Sequence, residues 1–368
     1  MQSLPNIKVL WLAPNFNHYK ARFLNRLQEN GRIALFLHAG IPSKQNGYAD
    51  FVKDGFGFQL RQTDVPKEKY GHSLKVLREV IGWHRQEHFD WIMVPCEAKN
   101  LVLILVMSFL KLFYGFRLFS YNHAVVGPGK KYTWLSKQLY HLYDRVVFYT
   151  ENERKRALDL RLLPPRKAFF ANNTLDTTQI AKNYSFQIKD LSAPSLLFIG
   201  RLIANKRIEL LLRYYQKLKQ IIPGLQLLII GDGPDAPKVK TAVAEDSDIR
   251  WFGALADEEK IAPIMSQANA VINLGASGLS VMHSFAYGKP YIAIENPQNG
   301  PECWYLRPGE NGILLKAGEQ AEDENVAAIV ALLSEKEQYE EYCDKAYETA
   351  RRRSVQAWVK EIEECLTA

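Results

Sequence analysis

The sequence predicts an α/β protein made of two doubly wound domains in tandem. Three observations predict this fold. Short apolar runs alternate with segments of helical periodicity, the alternation starts again after a segment without a sustained period, and 368 residues suffice for two ordinary domains. A composition of 47% hydrophobic and 24% charged residues is typical of a folded globular protein, which excludes a disordered chain.

In the front part of the chain, apolar runs predict parallel strands and the segments between them predict helices. The predicted strands are IKVLWLA (7–13), RIALFLH (32–38), WIMVP (91–95), RLFSYNH (117–123) and RVVFYT (145–150). The predicted helices are YKARFLNRLQEN (19–30), an apolar helix from residue 101, WLSKQLYHLYD (134–144) and ENERKRALDL (151–160). Together they predict a first domain over residues 1–182.

The longest apolar stretch runs from residue 101 to residue 119, but Lys111 and Arg117 interrupt it. The uninterrupted part has ten residues, whereas crossing a bilayer takes about 20. We therefore expect a buried helix followed by a strand, and no membrane span.

Residues 183–195 have no sustained period and end in Ser-Ala-Pro-Ser, which predicts a linker. A second alternating series predicts another domain over residues 196–345. Its predicted strands are SLLFIGR, LQLLIIGDGP, IRWFG, AVINLG and PYIAIE, and the helices between them are IELLLRYYQKLKQI, DAPKVKTAVAE, EEKIAPIMSQA and a short helix around His283. Residues 346–368 are expected to form a helix that packs back toward the first domain.

The net charge of +7 is unevenly distributed along the chain. Residues 1–180 carry 26 Lys and Arg against 14 Asp and Glu, whereas residues 181–368 carry 21 against 26. The basic front half predicts an anionic partner such as a lipid surface or a phosphorylated acceptor, and surface charge without function is the alternative. No basic stripe interleaved with aromatic residues is present, so we expect no nucleic-acid partner.

The four cysteines, Cys96, Cys303, Cys343 and Cys365, have neither paired nor metal-ligand spacing. We therefore expect a reducing, cytoplasmic setting. The N-terminal residues MQSLPNIKVLWLAPN favour a first strand over a signal peptide.

Three strand ends of the second domain carry residues suited to phosphate binding. The first strand runs into a loop with Gly200, Arg201 and Lys206, two cations suited to a diphosphate. The second ends in a tight turn with Gly231 and Gly233, which is weak evidence alone because turns need glycine anyway. The fourth strand, AVINLG, meets a run of small residues, where the N–H groups of 278–281 at a helix start could bind an anion.

Other polar residues follow strands where ligands of open α/β sheets bind. His18 and Lys20 lie in the predicted loop PNFNHYK after the first strand, and His123 ends the strand RLFSYNH. Glu302 follows the strand PYIAIE, and spacing alone favours a surface carboxylate there. Two such sheet edges would face each other across a cleft.

Taken together and in this order, the motifs of the back half resemble the GT-B glycosyltransferases of family 4, which have two Rossmann-like domains. The similar segments are FFANNTLD, FIGRLIANK, LLIIGDGP, WFGALADEEKIAPIMSQANAVINLG, GLSVMHSFAYGKPYIA and PECWYLRPGENGILL. The resemblance implies an enzyme that moves a sugar from a nucleoside diphosphate donor, a UDP- or GDP-sugar, to a saccharide or lipid-linked acceptor with retention.

The resemblance also implies roles for individual residues. Arg201 and Lys206 would hold the diphosphate and neutralise charge on the leaving group, His123 would lie near the transferred sugar, and His18 and Lys20 would face the acceptor. Enzymes of this fold usually need no metal, so neither a metal nor another cofactor is expected. The implied donor-binding residues are Gly200, Arg201, Lys206, Gly231, Gly233, Phe252, Gly278, Leu279, Ser280 and His283.

The chain departs from the family at one pair of positions. Family members usually carry two glutamates separated by seven residues, and the matching residues here are Gly275 and His283. His283 could bind the ribose or a phosphate, face the protein interior, or belong to a catalytically dead site. We favour the first, and Glu302 is a candidate for the missing sugar-side carboxylate.

The sequence therefore predicts a metal-independent glycosyltransferase of cell-surface polysaccharide synthesis, such as lipopolysaccharide or capsule. It is expected in the cytoplasm, with the basic front domain on the inner face of the plasma membrane. The alternatives are a nucleotide-sugar epimerase or hydrolase of the same fold, and a non-catalytic nucleotide-sugar-binding subunit of a synthase complex.

Overall fold

The computed structural model describes residues 7–14, 16, 18–29, 31–41, 57–122 and 134–368. The chain divides into two compact units. Unit 1 comprises Met1–Leu175 and Val355–Ala368, and unit 2 comprises Asp176–Ser354. Each unit is a parallel α/β sheet with its own apolar core.

The described part of unit 1 contains a sheet of seven parallel strands in the order β3-β2-β1-β4-β5-β6-β7. The strands are β1 (Ile7–Ala13), β2 (Ile33–Ile41), β3 (Gln59–Pro66), β4 (Trp91–Met93), β5 (Arg117–Asn122), β6 (Arg145–Phe148) and β7 (Ala168–Phe170). The helices are α1 (His18–Glu29), α2 (Leu74–Glu87), α3 (Leu101–Tyr114), α4 (Trp134–Leu142) and α5 (Glu151–Asp159), joined by α13 (Val355–Thr367).

Unit 2 has a sheet of six parallel strands in the order β10-β9-β8-β11-β12-β13. The strands are β8 (Ser195–Ile199), β9 (Gln226–Ile230), β10 (Ile249–Trp251), β11 (Ala270–Asn273), β12 (Tyr291–Ile294) and β13 (Gly312–Leu315). The helices are α6 (Thr177–Asn183), α7 (Ile208–Ile221), α8 (Ala236–Glu245), α9 (Glu258–Gln267), α10 (Ser280–Ala286), α11 (Glu322–Leu332) and α12 (Lys336–Arg352).

In both sheets the strand order reverses once, which is the doubly wound pattern. The reversal lies between β1 and β4 in unit 1 and between β8 and β11 in unit 2. Ligands of open α/β sheets bind at this switch point, outside the carboxyl ends of the strands. In unit 2 the loops there are residues 200–207 and 274–279, which carry the motifs singled out from the sequence.

The unit boundaries differ from the predicted domain boundaries. Unit 2 begins at residue 176, before the predicted linker 183–195. That segment packs onto the core of unit 2 through Phe186, Ile188 and Leu191, and Asn269 binds the Lys189 side chain at 2.7 Å. The chain re-enters unit 1 at Val355, where α13 buries Trp358 against Phe23 with 4.7 Å between ring centroids.

The apolar helix α3 differs from the expected buried helix. Only one of its faces, with Leu103, Ile104 and Met107, packs into the core of unit 1. Its opposite face is apolar too, but exposed to solvent. Within the described ranges, no helix has the length and apolarity needed to cross a membrane.

Candidate functional site

The candidate site lies in unit 2, where the loop after β8 meets the loop after β11. The Ala276 N–H donates to the Asn205 carbonyl at 2.8 Å. A Cβ on Gly275 would lie only 2.4 Å from Lys206 Cα. Residue 275 must therefore be glycine for the two loops to approach this closely, because any side chain would overlap the backbone.

Lys206 lies between these loops. Its Nζ donates to the Ala276 carbonyl. Burial lowers the pKa of the Lys206 ammonium to about 8, and the charge of Arg201 acts in the same direction, whereas Cys303 and Glu302 oppose it. The structure thus brings the two cations predicted from the sequence close enough to repel each other, as in a site that awaits an anion.

Gly231 and Gly233 bring the ends of β8 and β9 together. A Cβ would lie 1.8 Å from the Gly200 carbonyl oxygen at Gly231 and 2.5 Å from the Leu202 carbonyl oxygen at Gly233. The Trp251 indole N–H donates to the Gly231 carbonyl at 2.8 Å. Both glycines therefore have a packing role, and their donor-binding role stays a prediction.

Phe252 follows β10 at the same edge of the sheet. The Arg250 guanidinium lies over the Phe252 ring, 5.1 Å from its centroid. The predicted contact between Phe252 and the donor stays a prediction.

Two asparagines fix the glycine-rich loop. The Gly275 N–H donates to Asn273 Oδ1 at 3.0 Å, and the Ser277 N–H donates to Asn299 Oδ1 at 2.8 Å. The Ser277 carbonyl accepts from the Gly300 N–H at 2.7 Å. These bonds hold the loop in one conformation through side chains that the sequence analysis did not identify.

The free N–H groups of this loop are fewer than predicted. The Val281 N–H donates to the Gly278 carbonyl at 3.0 Å, so it is not available to an anion. Among described residues, the N–H groups of Gly278 and Leu279 have no acceptor. The Ser280 hydroxyl lies 2.7 Å from the Tyr291 hydroxyl. The Ser280 N–H has no acceptor among described residues either, so the available donors are the three N–H groups of residues 278–280.

Glu302 is buried, which corrects the expectation of a surface carboxylate. It lies on a 3₁₀ turn, Pro301–Tyr305, that follows Gly300. Its Oε2 is 3.9 Å from the position that a Cβ on Gly278 would occupy. The structure thus places a carboxylate beside the free N–H groups and within electrostatic range of Lys206.

His283 lies against a carboxylate that the sequence analysis missed. Its Nε2 is 3.1 Å and 3.2 Å from the two oxygens of Glu258, which also accepts from the Tyr287 hydroxyl at 2.7 Å. Both His283 and Glu258 are largely buried. The ring therefore has a protein partner at Nε2, while Nδ1 makes no hydrogen bond to a described residue.

One signal could have identified this cluster. Tyr287 follows His283 by four residues, which places the two side chains on one face of a helix. Glu258 looked like an ordinary acidic residue in the first turn of a helix, a position that the helix dipole favours. Nothing in its spacing distinguished it from Glu259.

The front-domain candidates are described less completely. His18 and Lys20 lie in the first turn of α1, rather than in a loop as predicted. Lys20 is half-buried. His123 lies outside the described residues. No group of three or more His, Cys, Asp or Glu side chains within the described ranges could hold a metal ion.

Comparison with known proteins finds a family match within unit 2. Residues 193–335 match the family model of glycosyl transferases group 1. The trehalose synthase of Pyrococcus horikoshii is 24% identical over 243 residues, which is 61% of this chain and 57% of that protein. The chain thus matches little more than half the length of this curated relative.

Solved structures establish the fold. The sucrose-phosphate synthase of Thermosynechococcus elongatus superposes with a TM-score of 0.70 at 15% identity, over 98% of both chains. Anabaena HepE in complex with UDP-glucose superposes with a TM-score of 0.68 at 14% identity, over 98% of this chain and 100% of that one. The chain has the GT-B fold of these glycosyltransferases.

Proposed function

We propose that this protein transfers a sugar from a nucleoside diphosphate donor to a saccharide or lipid-linked acceptor. The observation that carries the proposal is the pair of interacting cations, Arg201 and Lys206, at the switch point of unit 2. Lys206 donates to the Ala276 carbonyl, in the same loop as the free N–H groups of Gly278 and Leu279. The match of residues 193–335 to glycosyl transferases group 1 supports it.

Arg201 and Lys206 stabilise the leaving group in this proposal. Breaking the bond between the sugar and the diphosphate places negative charge on the phosphate oxygens. Two fixed cations in a partly buried site stabilise that charge without reorganising at the moment of reaction. The N–H groups of Gly278 and Leu279 add hydrogen bonds to the same anion.

His283 binds the donor ribose through Nδ1. When the Nε2–H group of the neutral imidazole donates a hydrogen bond to Glu258, Nδ1 carries a lone pair that can act as an acceptor. A ribose hydroxyl can donate to that nitrogen, as it would to the glutamate of the related enzymes. Glu258 then acts as the positioning residue that fixes the tautomer.

Glu302 supplies the carboxylate near the transferred sugar. Gly275 leaves no room for a side chain at the usual position, because the backbone of Lys206 lies there. Glu302 reaches the Gly278 region from the neighbouring 3₁₀ turn. Unchanged turnover and donor affinity in the Glu302→Gln variant would contradict this role.

The finer assignments follow the family resemblance. We propose a UDP- or GDP-sugar donor, retention at the anomeric carbon, and catalysis without a metal, in cell-surface polysaccharide synthesis. The protein acts in the cytoplasm and binds the inner face of the plasma membrane through its basic front domain. The complex of Anabaena HepE with UDP-glucose supports UDP as the nucleotide.

The test is binding first and product analysis second. Calorimetric titration with UDP and GDP, each with and without the sugar, identifies the donor class. Arg201→Ala and Lys206→Ala are each expected to weaken binding by tenfold or more, because hydrogen bonds to charged groups are worth about 1.5–3 kcal/mol. Lys240→Ala, which removes an exposed cation of α8, is the control and should bind normally. Unchanged binding in both site variants would refute the proposal.

A non-catalytic nucleotide-sugar-binding subunit is the second candidate. The specific observation that favours it is the absence of a carboxylate at Gly275 and His283. Such a subunit would bind the donor and never consume it. Incubation of the donor with and without acceptor saccharides distinguishes the candidates. A transferase consumes the donor when an acceptor is present, and a non-catalytic subunit does not. A hydrolase or epimerase of the same fold would form its product without an acceptor.

A further inference from the structure

Helix α3 of unit 1 exposes an apolar face to solvent. Five of its side chains have exposed fractions between 43% and 74%. They are Val102, Leu105, Phe109, Leu112 and Phe113. Apolar side chains that lie next to one another on the surface, rather than scattered singly, can mark a site of contact with a partner or a membrane.

The exposed side chains form one stripe. At 100° per residue, the five positions fall within about 100° of the helix circumference. The Phe109 and Phe113 rings contact each other, with 5.1 Å between centroids. The opposite face is buried in the core of unit 1, so α3 cannot leave the unit, and only its outer stripe can contact a partner.

The chain segment that contains α3 and α4 has an excess of positive charge. Residues 101–142 contain no Asp or Glu and five Lys and Arg. The Lys111 ammonium binds the Leu142 carbonyl at 3.1 Å, which places the ends of α3 and α4 side by side. Trp134, the first residue of α4, is 72% exposed. Lys111 also pairs with the Asp144 carboxylate at 2.9 Å, so the excess positive charge of the segment comes from its other four cations. Apolar side chains, an exposed tryptophan and an excess of cations are typical of surfaces that bind anionic lipid.

A second copy of the chain fits this surface less well. A stripe about 21 Å long and about 10 Å wide presents roughly 200 Å². A standard protein interface buries about 800 Å² on each partner. The stripe is therefore too small to hold a dimer by itself, whereas an anionic lipid surface also attracts a chain segment with excess positive charge.

We propose that the outer face of α3 inserts into the boundary between headgroups and acyl chains of an anionic bilayer, with the helix axis parallel to the membrane. This proposal gives a location to the membrane contact of the proposed function. It does not depend on the transfer chemistry, because no residue of unit 2 takes part.

The test is sedimentation with vesicles of phosphatidylcholine, with and without phosphatidylglycerol. We expect the wild-type protein to sediment with the anionic vesicles more strongly than with the neutral ones. The double variant Leu112→Gln, Phe113→Ser should lose on the order of tenfold or more of this binding, since two large apolar side chains are removed. Because both residues are exposed, the variant should fold normally, which circular dichroism and its thermal unfolding check.

The control variant removes two exposed apolar side chains that lie outside α3. Ile221→Gln, Leu314→Gln changes two residues of unit 2 that are 55% and 41% exposed, and it should bind vesicles like the wild type. Equal binding by all three proteins, or no binding by the wild type, would overturn the proposal. Light scattering provides a further check. If the wild type is a dimer and the Leu112→Gln, Phe113→Ser variant is a monomer, the surface serves self-association and the proposal is overturned.

Nucleotide titration separates this proposal from the proposed function. The Leu112→Gln, Phe113→Ser variant should bind nucleotide like the wild type. Lost vesicle binding with intact nucleotide binding supports the surface assignment, and failure of nucleotide binding in the wild type would leave the vesicle result valid.

Discussion

Gly275 shows how one residue can rule out a family motif. The family resemblance matches this position to a glutamate, yet a Cβ there would lie 2.4 Å from both the Asn205 carbonyl oxygen and Lys206 Cα. Such overlap with backbone cannot be relieved by a side-chain rotation. Here the contact between two loops has replaced a carboxylate, and the sequence alone could show only that the carboxylate was missing.

Two alanine substitutions in this loop, at Gly275 and at Gly278, test the steric argument. Gly275→Ala should lower the free energy of unfolding by about 1–3 kcal/mol, since it forces a backbone shift. Gly278→Ala has room, and its φ is not positive. It should leave stability unchanged or raise it by up to about 1 kcal/mol. Urea unfolding measures both, and equal effects would contradict the predicted clash.

His283→Glu tests the partner found for the histidine. It places a second carboxylate within reach of Glu258, in a largely buried position, where two like charges repel. We expect a loss of stability of about 3–5 kcal/mol at neutral pH, the range for an uncompensated buried charge. The loss should diminish as the pH falls and one carboxyl is protonated.

The double variant His283→Glu, Glu258→Gln removes the repulsion and should recover most of the lost stability. Nucleotide affinity in the double variant then reports whether a carboxylate at residue 283 can replace the imidazole. If the single variant is as stable as the wild type, His283 does not contact Glu258 in solution.

At the scale of elements, the loop between β8 and α7 makes the candidate site sensitive to pH. The folded protein holds the pKa of Lys206 at about 8, below the ordinary value of 10.5. The unfolded chain therefore binds more protons between pH 8 and 10.5, so Lys206 makes stability rise with pH in that window. Binding of a diphosphate has the opposite dependence, because it requires the charged ammonium.

We predict that the dissociation constant of a nucleoside diphosphate is level below pH 8. Above it, the constant should rise by up to about tenfold per pH unit as Lys206 loses its proton. Lys206→Arg keeps the positive charge over this range, because arginine stays protonated. Its affinity should be weaker but independent of pH. Calorimetric titration between pH 7 and 9.5 measures both, and parallel curves would exclude Lys206 as the titrating group.

The loops of the site were only partly predictable from the sequence. Arg201, Lys206 and the small residues before α10 stand out because strand ends, cations and glycines are visible in order. The supporting side chains Asn273 and Asn299 do not, because a single asparagine in a loop is ordinary. The burial of Glu302 depends on how Gly300 and Ser277 pair, which no local pattern encodes.

At the scale of the whole molecule, the alternation of strands and helices correctly predicted the α/β class with two doubly wound domains, because parallel strands buried on both faces are strongly apolar. The GT-B fold was predicted by the family resemblance. The strands that escaped were β3, β7 and β13. The first, QLRQTDVP, is a polar edge strand with most side chains exposed. The second has three residues, and the third follows a turn that looked like part of a loop. Short or edge strands carry too little periodicity to be recognised.

The same scale explains why α13 matters to unit 1. Trp358 is fully buried, and its ring centroid lies 4.7 Å from that of Phe23 and 6.4 Å from that of Trp11. The apolar cluster around it contains residues of unit 1 alone, whereas the core of unit 2 is a separate cluster. The last helix of the chain therefore completes the core of the first unit.

Separate cores predict that the two units respond to different perturbations. Trp358→Ala should cost about 3–5 kcal/mol and lower the calorimetric transition of unit 1. A nucleoside diphosphate binds unit 2 in the proposed function, so it should raise the other transition by mass action. The control Trp134→Ala removes an exposed indole and should shift neither transition.

Because the two perturbations act on cores that share no residue, nucleotide should raise the same transition in Trp358→Ala as in the wild type. A single transition that both perturbations move together would show that the units unfold as one.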